Sequence, residues 1–149
     1  ARLVEALGAT VSTMVGDVSD RDECHAAVDH AVLSDGCIIN RAQISNSIVG
    51  VRSLVGHGTM LQRVVMMGAD YYESDDSIRV NDVRNIPAIG IGSNTRIDNS
   101  ILDKNTRIGD NCIISPKGKD VNEDGEGYFI RDGIVIIPKN AVVPHNTVI

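Results

Sequence analysis

Residues 44–61, ISNSIVGVRSLVGHGTML, overlay residues 97–114, IDNSILDKNTRIGDNCII, without a gap. Identities fall at Ile44/Ile97, Asn46/Asn99, Ser47/Ser100, Ile48/Ile101 and Gly56/Gly109. In both copies aliphatic residues recur six apart, at Val49, Val55, Leu61 and Met67, then at Leu102, Ile108 and Ile114. A third series, Ile137, Val143 and Ile149, closes the sequence. Neither a 3.6-residue helix nor a two-residue strand alternation sustains a period of six, whereas the hexapeptide repeat of a parallel β-helix does.

Working outward, Val32, Ile38 and Ile44 share the six-residue phase, and Val49 then arrives one residue early. The same five-residue step separates Ile97 from Leu102. A slip at matching places in both copies marks a duplication. Gly50, Ser53, Gly56, Thr59, Gly109 and Cys112 fill the remaining slots, where the corners of a three-sided coil demand tight backbone geometry. Two segments break the period: 69–88, ADYYESDDSIRVNDVRNIPA, and 115–129, SPKGKDVNEDGEGYF. Both read as loops thrown out of the wall, and such insertions often carry binding in repeat proteins. Tyr71 and Tyr72 read as packing for the first loop, and Asp75 with Asp76 as its solvated tip.

The 149 residues suffice for one domain, or one with an appendage. Apolar residues make up 42%, with three Tyr, one Phe and no Trp, which suits a narrow tube lined by aliphatic side chains. A formal charge of −6 argues against general binding to nucleic acid or an anionic membrane, though not against a local cationic pocket. Cys24, Cys37 and Cys112 show no CxxC and no metal-ligand spacing, and read as packed side chains of a reducing compartment. No apolar run reaches bilayer length and no signal peptide is visible, so a cytoplasmic location is expected. The start at Ala1, inside what reads as an element, suggests a fragment.

Residues 1–31 differ in character. ARLVEAL favours helix with a stop at Gly8, ATVSTMVGDV favours strand, and Ser19 and Asp20 could cap a helix over roughly 21–32. This piece weakly resembles the middle of a short-chain dehydrogenase or ketoreductase, where a GA-x-V strand runs into a DVSDRD turn. That resemblance implies a place beside a cofactor adenine for Asp17. The glycine-rich phosphate turn and the Tyr-x-x-x-Lys pair are missing from the chain, which excludes a working dinucleotide site within it. The plainer expectation is an α/β appendage over 1–31 that shields the open end of a solenoid spanning 32–149.

Four further strings occur in order: MMGADYYES (66–74), NSILDKNTRIGDN (99–111), GYFIRDGIVII (127–137) and PKNAVVPHNTVI (138–149). Together they closely resemble the C-terminal domain of ADP-glucose pyrophosphorylase (glucose-1-phosphate adenylyltransferase), over about 33–149. The resemblance implies an all-β fold, a left-handed parallel β-helix. It also implies an allosteric and oligomerising role within a homo- or hetero-tetramer, in the cytoplasm or, in a photosynthetic eukaryote, the plastid stroma. The family joins ATP and glucose 1-phosphate into ADP-glucose and pyrophosphate with magnesium, through a separate catalytic domain. No GGG-x-GTRL loop occurs here, so this chain alone is expected to be inactive and to hold no cofactor. Sugar-phosphate activators and inorganic phosphate are bound in the family by lysines of the DKN-x-RIG and KNA strings, which correspond to Lys104 and Lys139. Lysine suits that task, as a compact three-donor cation on a rigid wall. Arg131 and Arg52 are further candidates, although Leu54 stands where the family often has a second arginine.

Two other readings come from the residues themselves. A hexapeptide acyltransferase would use a histidine such as His57, or less plausibly His145, as general base beside an acyl-CoA cleft. A non-catalytic scaffold would use neither the histidines nor the lysines.

Overall fold

The computed structural model describes residues 27–29 and 31–149, with side-chain environments from Ala31 onward. The expected first helix and the following strand lie outside the described residues. The expected helix over roughly 21–32 is corrected where it can be seen, because Ala27–Asp29 is a strand (β1) that pairs in parallel with Gln43–Ser45 (β4). The solenoid therefore begins before residue 32. Ala26 to Ala31 carry a helix-compatible apolar pattern, but pairing with the next coil overrides so short a local preference.

The chain winds into a parallel β-helix with three walls. The first stacks β1, β4, the start of β7 (Met60–Met66), the start of β9 (Arg96–Leu102) and β11 (Ile113–Ile114). The second stacks β2 (Val32–Leu33), β5 (Ile48–Val49), the ends of β7 and β9, and β14 (Ile134–Ile137). The third is a separate five-stranded sheet of β3 (Ile38–Ile39), β6 (Leu54–Val55), β8 (Gly90–Ile91), β10 (Arg107–Ile108) and β15 (Val142–Val143).

Each wall contributes one inward aliphatic ladder. Ile44, Leu61, Ile97 and Ile114 form the first, and Leu33, Val49, Met66, Leu102 and Ile137 the second. Ile39, Val55, Ile91, Ile108 and Val143 form the third. The expected phase needs correction at three places: Met67, Val32 and Ile38 point outward, at 47%, 55% and 54% exposure. The five-residue step is not an isolated slip. It recurs at the corner between first and second walls in successive coils, from Ile44 to Val49, Leu61 to Met66 and Ile97 to Leu102. There the chain turns through a residue of positive φ, at Asn46 (49°), Arg63 (54°) and Asn99 (47°), so the corner takes one residue fewer.

Small hydroxyl groups line the other corners from inside. Thr59 Oγ1 donates to the Gly92 carbonyl at 2.7 Å, Thr95 Oγ1 to that of Gly109 at 2.9 Å, and Ser53 Oγ to that of Gly50 at 2.7 Å. Among the described residues no buried side-chain nitrogen or oxygen lacks a partner, as a polar group in an aliphatic tube requires. The repeated Gly56/Gly109 pair is explained by close approach: a Cβ there would lie 2.6 Å from the carbonyl carbon of Gly92, or 2.5 Å from the amide nitrogen of His145. Cys112 packs in the core at 0% exposure, and burial pushes its thiol up.

The insertions are more ordered than loops. The first contains the helix α1 (Asp75–Val83), whose N-cap Ser74 accepts from the Ser77 amide at 3.3 Å. Asp75 and Asp76 form its first turn, where carboxylates favour the helix dipole. They are therefore a helix start and not a loop tip. No residue of α1 is buried, so the apolar periodicity that identifies a helix in sequence was missing. The second insertion folds as an antiparallel hairpin of β12 (Glu123–Gly125) and β13 (Tyr128–Arg131), which continues antiparallel into β14.

Candidate functional site: two lysines and a carboxylate at one corner

The corner between second and third walls stacks Val51 and Arg52, Gly68 and Ala69, Lys104 and Asn105, then Lys139 and Asn140. Main-chain bonds fix the order: Ala69 donates to the Val51 carbonyl (2.9 Å), Asn105 to that of Gly68 (3.0 Å) and Asn140 to that of Lys104 (3.0 Å). Asn105 and Asn140 both have φ of 60°, a conformation asparagine tolerates better than most residues. Because each lysine precedes such an asparagine, both leave the wall in the same way from neighbouring rungs.

Between them sits Asp70. Lys104 Nζ donates to its Oδ1 at 2.8 Å and Lys139 Nζ to its Oδ2 at 3.0 Å. Asn105 grips the same residue twice: its Nδ2 donates to Oδ2 at 3.1 Å, and its Oδ1 accepts the Asp70 amide at 2.8 Å. The hydrogen bonds from Lys104, then Lys139 and Asn105, hold the Asp70 carboxyl well below the usual carboxylate range. All three charged side chains keep a solvent face, at 39% for Lys104, 49% for Lys139 and 36% for Asp70. Asp103 lies beside them, its Oδ1 accepting the Lys104 amide at 2.7 Å.

The other two cationic candidates separate. Arg52 belongs to the same corner, where its Nε donates to the Ala69 carbonyl at 2.9 Å. Arg131 does not. It stands on the β12–β13 hairpin, paired with Asp124, bonded to the Glu123 carbonyl and lying over the Phe129 ring. His57 and His145 occupy the corner between the third and first walls, away from the lysines. His57 is exposed, and His145 Nδ1 lies 2.9 Å from the Asp110 amide nitrogen and 3.3 Å from Asp110 Oδ2.

Glu73, three residues after Asp70, holds the insertion to the third wall. Its carboxylate, 4% exposed, accepts from Arg107 Nη2 (2.7 Å), the Ile89 amide (2.6 Å) and Asn81 Nδ2 (2.9 Å). Arg107 Nη1 also donates to the Pro87 carbonyl at 2.9 Å. Burial pushes Glu73 up, but these donors outweigh it and its net shift is downward. Asp70, Asn105, Glu73 and Arg107 had no role in the sequence reading, although all four lie in the MMGADYYES and DKNTRIG strings.

The outer face of the second wall is apolar from coil to coil. Val32, Ile48, Val65, Ile101 and Ile136 are in register across it, with Val32, Ile48 and Val65 exposed at 55%, 49% and 39%. Among the described residues no helix is long and apolar enough to cross a membrane, and no group of three or more His, Cys, Asp or Glu could hold a metal ion.

A family model described as the GLGC left-handed parallel β-helix domain matches residues 21–148. Among curated proteins, the chain is similar to the chloroplastic/amyloplastic small subunit of glucose-1-phosphate adenylyltransferase from Triticum aestivum. The two are 41% identical over 127 residues, which is 83% of this chain and 27% of that protein. The chain thus spans about a quarter of the length of this curated relative.

Proposed function

The chain belongs to the GLGC left-handed parallel β-helix domain family, and from that membership we propose that it is the C-terminal regulatory and oligomerising domain of a glucose-1-phosphate adenylyltransferase. On this reading ATP, glucose 1-phosphate and magnesium are handled by a separate catalytic domain. The β-helix receives a sugar phosphate or inorganic phosphate at Lys104 and Lys139, with Arg52 at the same corner two coils from Lys104. The observation that carries the proposal is the convergence of the two ammonium groups on one carboxylate. Arg131 is left out of this proposal, since its partners are Asp124 and Glu123 of the hairpin.

Calorimetry with inorganic phosphate, fructose 1,6-bisphosphate and 3-phosphoglycerate tests the site. Lys104→Ala and Lys139→Ala are each expected to weaken binding by about 1.5–3 kcal/mol, the worth of a charge-assisted hydrogen bond. Anion binding that both variants leave intact would put the effector site elsewhere.

The apolar ladder on the second wall supports the oligomerising role. A row of aliphatic side chains in register is suited to cover by another subunit, since a continuous exposed apolar patch is uncommon on a monomer. The relative is itself named a subunit and a chloroplastic/amyloplastic protein, which favours assembly with other subunits in a plastid stroma. Placing carboxylates at Ile48 and Val65 (Ile48→Asp with Val65→Asp) is expected to lower self-association in sedimentation velocity while leaving the far-ultraviolet spectrum unchanged. Unaltered association would remove this wall from the interface.

A further inference from the structure

We propose that Asp70 is a resident counter-anion of the two-lysine site, a built-in competitor that sets how tightly the site takes a phosphate. The inference rests on the effector reading above and adds its regulation. An effector site made of two lysines alone would present a net double positive charge. Here a carboxylate of the same chain already lies between the ammonium groups, with one oxygen on each. It is not there by chance of side-chain rotation, because Asn105 fixes both its main-chain amide and its Oδ2. Ala69, just before it, is buried and tied by its own amide and carbonyl to Val51 and Arg52.

An incoming phosphate has two ways to use these lysines. It can displace the carboxylate, or it can share the ammonium groups by their remaining donors on the solvent side. In the first case the ion pairs to Asp70 are lost. In the second, two negative groups stand roughly 5 Å apart in a partly screened setting, which weakens binding by about tenfold. Both routes make the Asp70 charge oppose the effector. Both also give the site a state in which it is filled from within, and this state holds across the physiological pH range because Asp70 stays ionised far into acid.

The test uses the 149-residue chain with inorganic phosphate as the probe. Asp70→Asn keeps the shape and the bonds with Asn105 while removing the charge, and is expected to bind phosphate about tenfold tighter than the wild type. Asp70→Ala, which also removes the charge, is expected to move affinity in the same direction. The gain is expected to vanish when Lys104→Ala and Lys139→Ala are added. Equal or weaker phosphate binding by both Asp70 variants, with binding still dependent on the lysines, overturns the role of Asp70 and leaves the effector site standing. Phosphate binding that ignores the lysines in every background overturns both.

Discussion

Glu73→Ala is expected to cost about 3–5 kcal/mol, the usual penalty for removing one partner of a buried ion pair. The carboxylate is 4% exposed and Arg107 17%, so truncation strands a guanidinium with little water to replace its partner. The same change orphans the Ile89 amide and Asn81 Nδ2, which now donate to Glu73. These bonds gather both ends of the first insertion onto β10. Chemical denaturation gives the loss, and hydrogen exchange at the Ile89 amide locates it. A variant within about 1 kcal/mol of the wild type would mean that the insertion holds its place by other contacts.

The pH dependence of this contribution has a defined sign. Glu73 titrates below its ordinary value of 4.5 in the folded protein. The folded state therefore holds the ionised form more tightly than the unfolded state does. The stabilisation is fully present above that ordinary value and fades as pH falls through the lower folded value. The gap between wild type and Glu73→Gln is accordingly expected to be widest near neutrality and to close in acid.

Leu102→Ala is the second large effect, expected at about 2–5 kcal/mol from lost transfer energy and the cavity left behind. Leu102 has no exposed surface and lies in the second-wall ladder between Met66 and Ile137. A tube filled by one side chain from each wall per coil offers few neighbours that can move in to fill the gap. Val142→Ala, on the outer face of the third wall, is the control, expected to stay within about 0.5 kcal/mol. Thermal unfolding of the pair separates inward from outward phase. Equal effects would contradict the assignment of Leu102 to the interior.

That phase shows how far a repeat can be read. Within the overlaid copies the series Val49, Val55 and Leu61, and its counterpart Leu102, Ile108 and Ile114, lies in the core throughout, because each copy contains a complete coil. Extrapolation outside them failed at Met67, Val32 and Ile38, since a strict period of six ignores the shorter corner. The helix over Asp75–Val83 escaped for another reason. It has a Ser74 cap and an acidic first turn, but with no buried face it lacks the periodic apolar signal that marks a helix.

For the site, sequence supplied the lysines and their equivalent slots before an asparagine, through the family strings and not through charge alone. Their shared partner was hidden. Asp70 is 34 residues from Lys104 and 69 from Lys139, and nothing local to any of them signals the others. Likewise Arg131 stood beside Lys139 as a further candidate, and the folded chain puts one on the hairpin and the other at the corner.

The sequence by itself determined the tube, the family and the two cationic rungs, because side-chain period and tight-corner residues are properties of neighbours along the chain. Only the tertiary structure decided that a carboxylate from an insertion bridges the two ammonium groups, that Glu73 and Arg107 clamp the insertion, and that Arg131 stands apart. Those outcomes depend on which residues coil stacking places side by side, and inserted segments of unequal length erase that information from sequence distance.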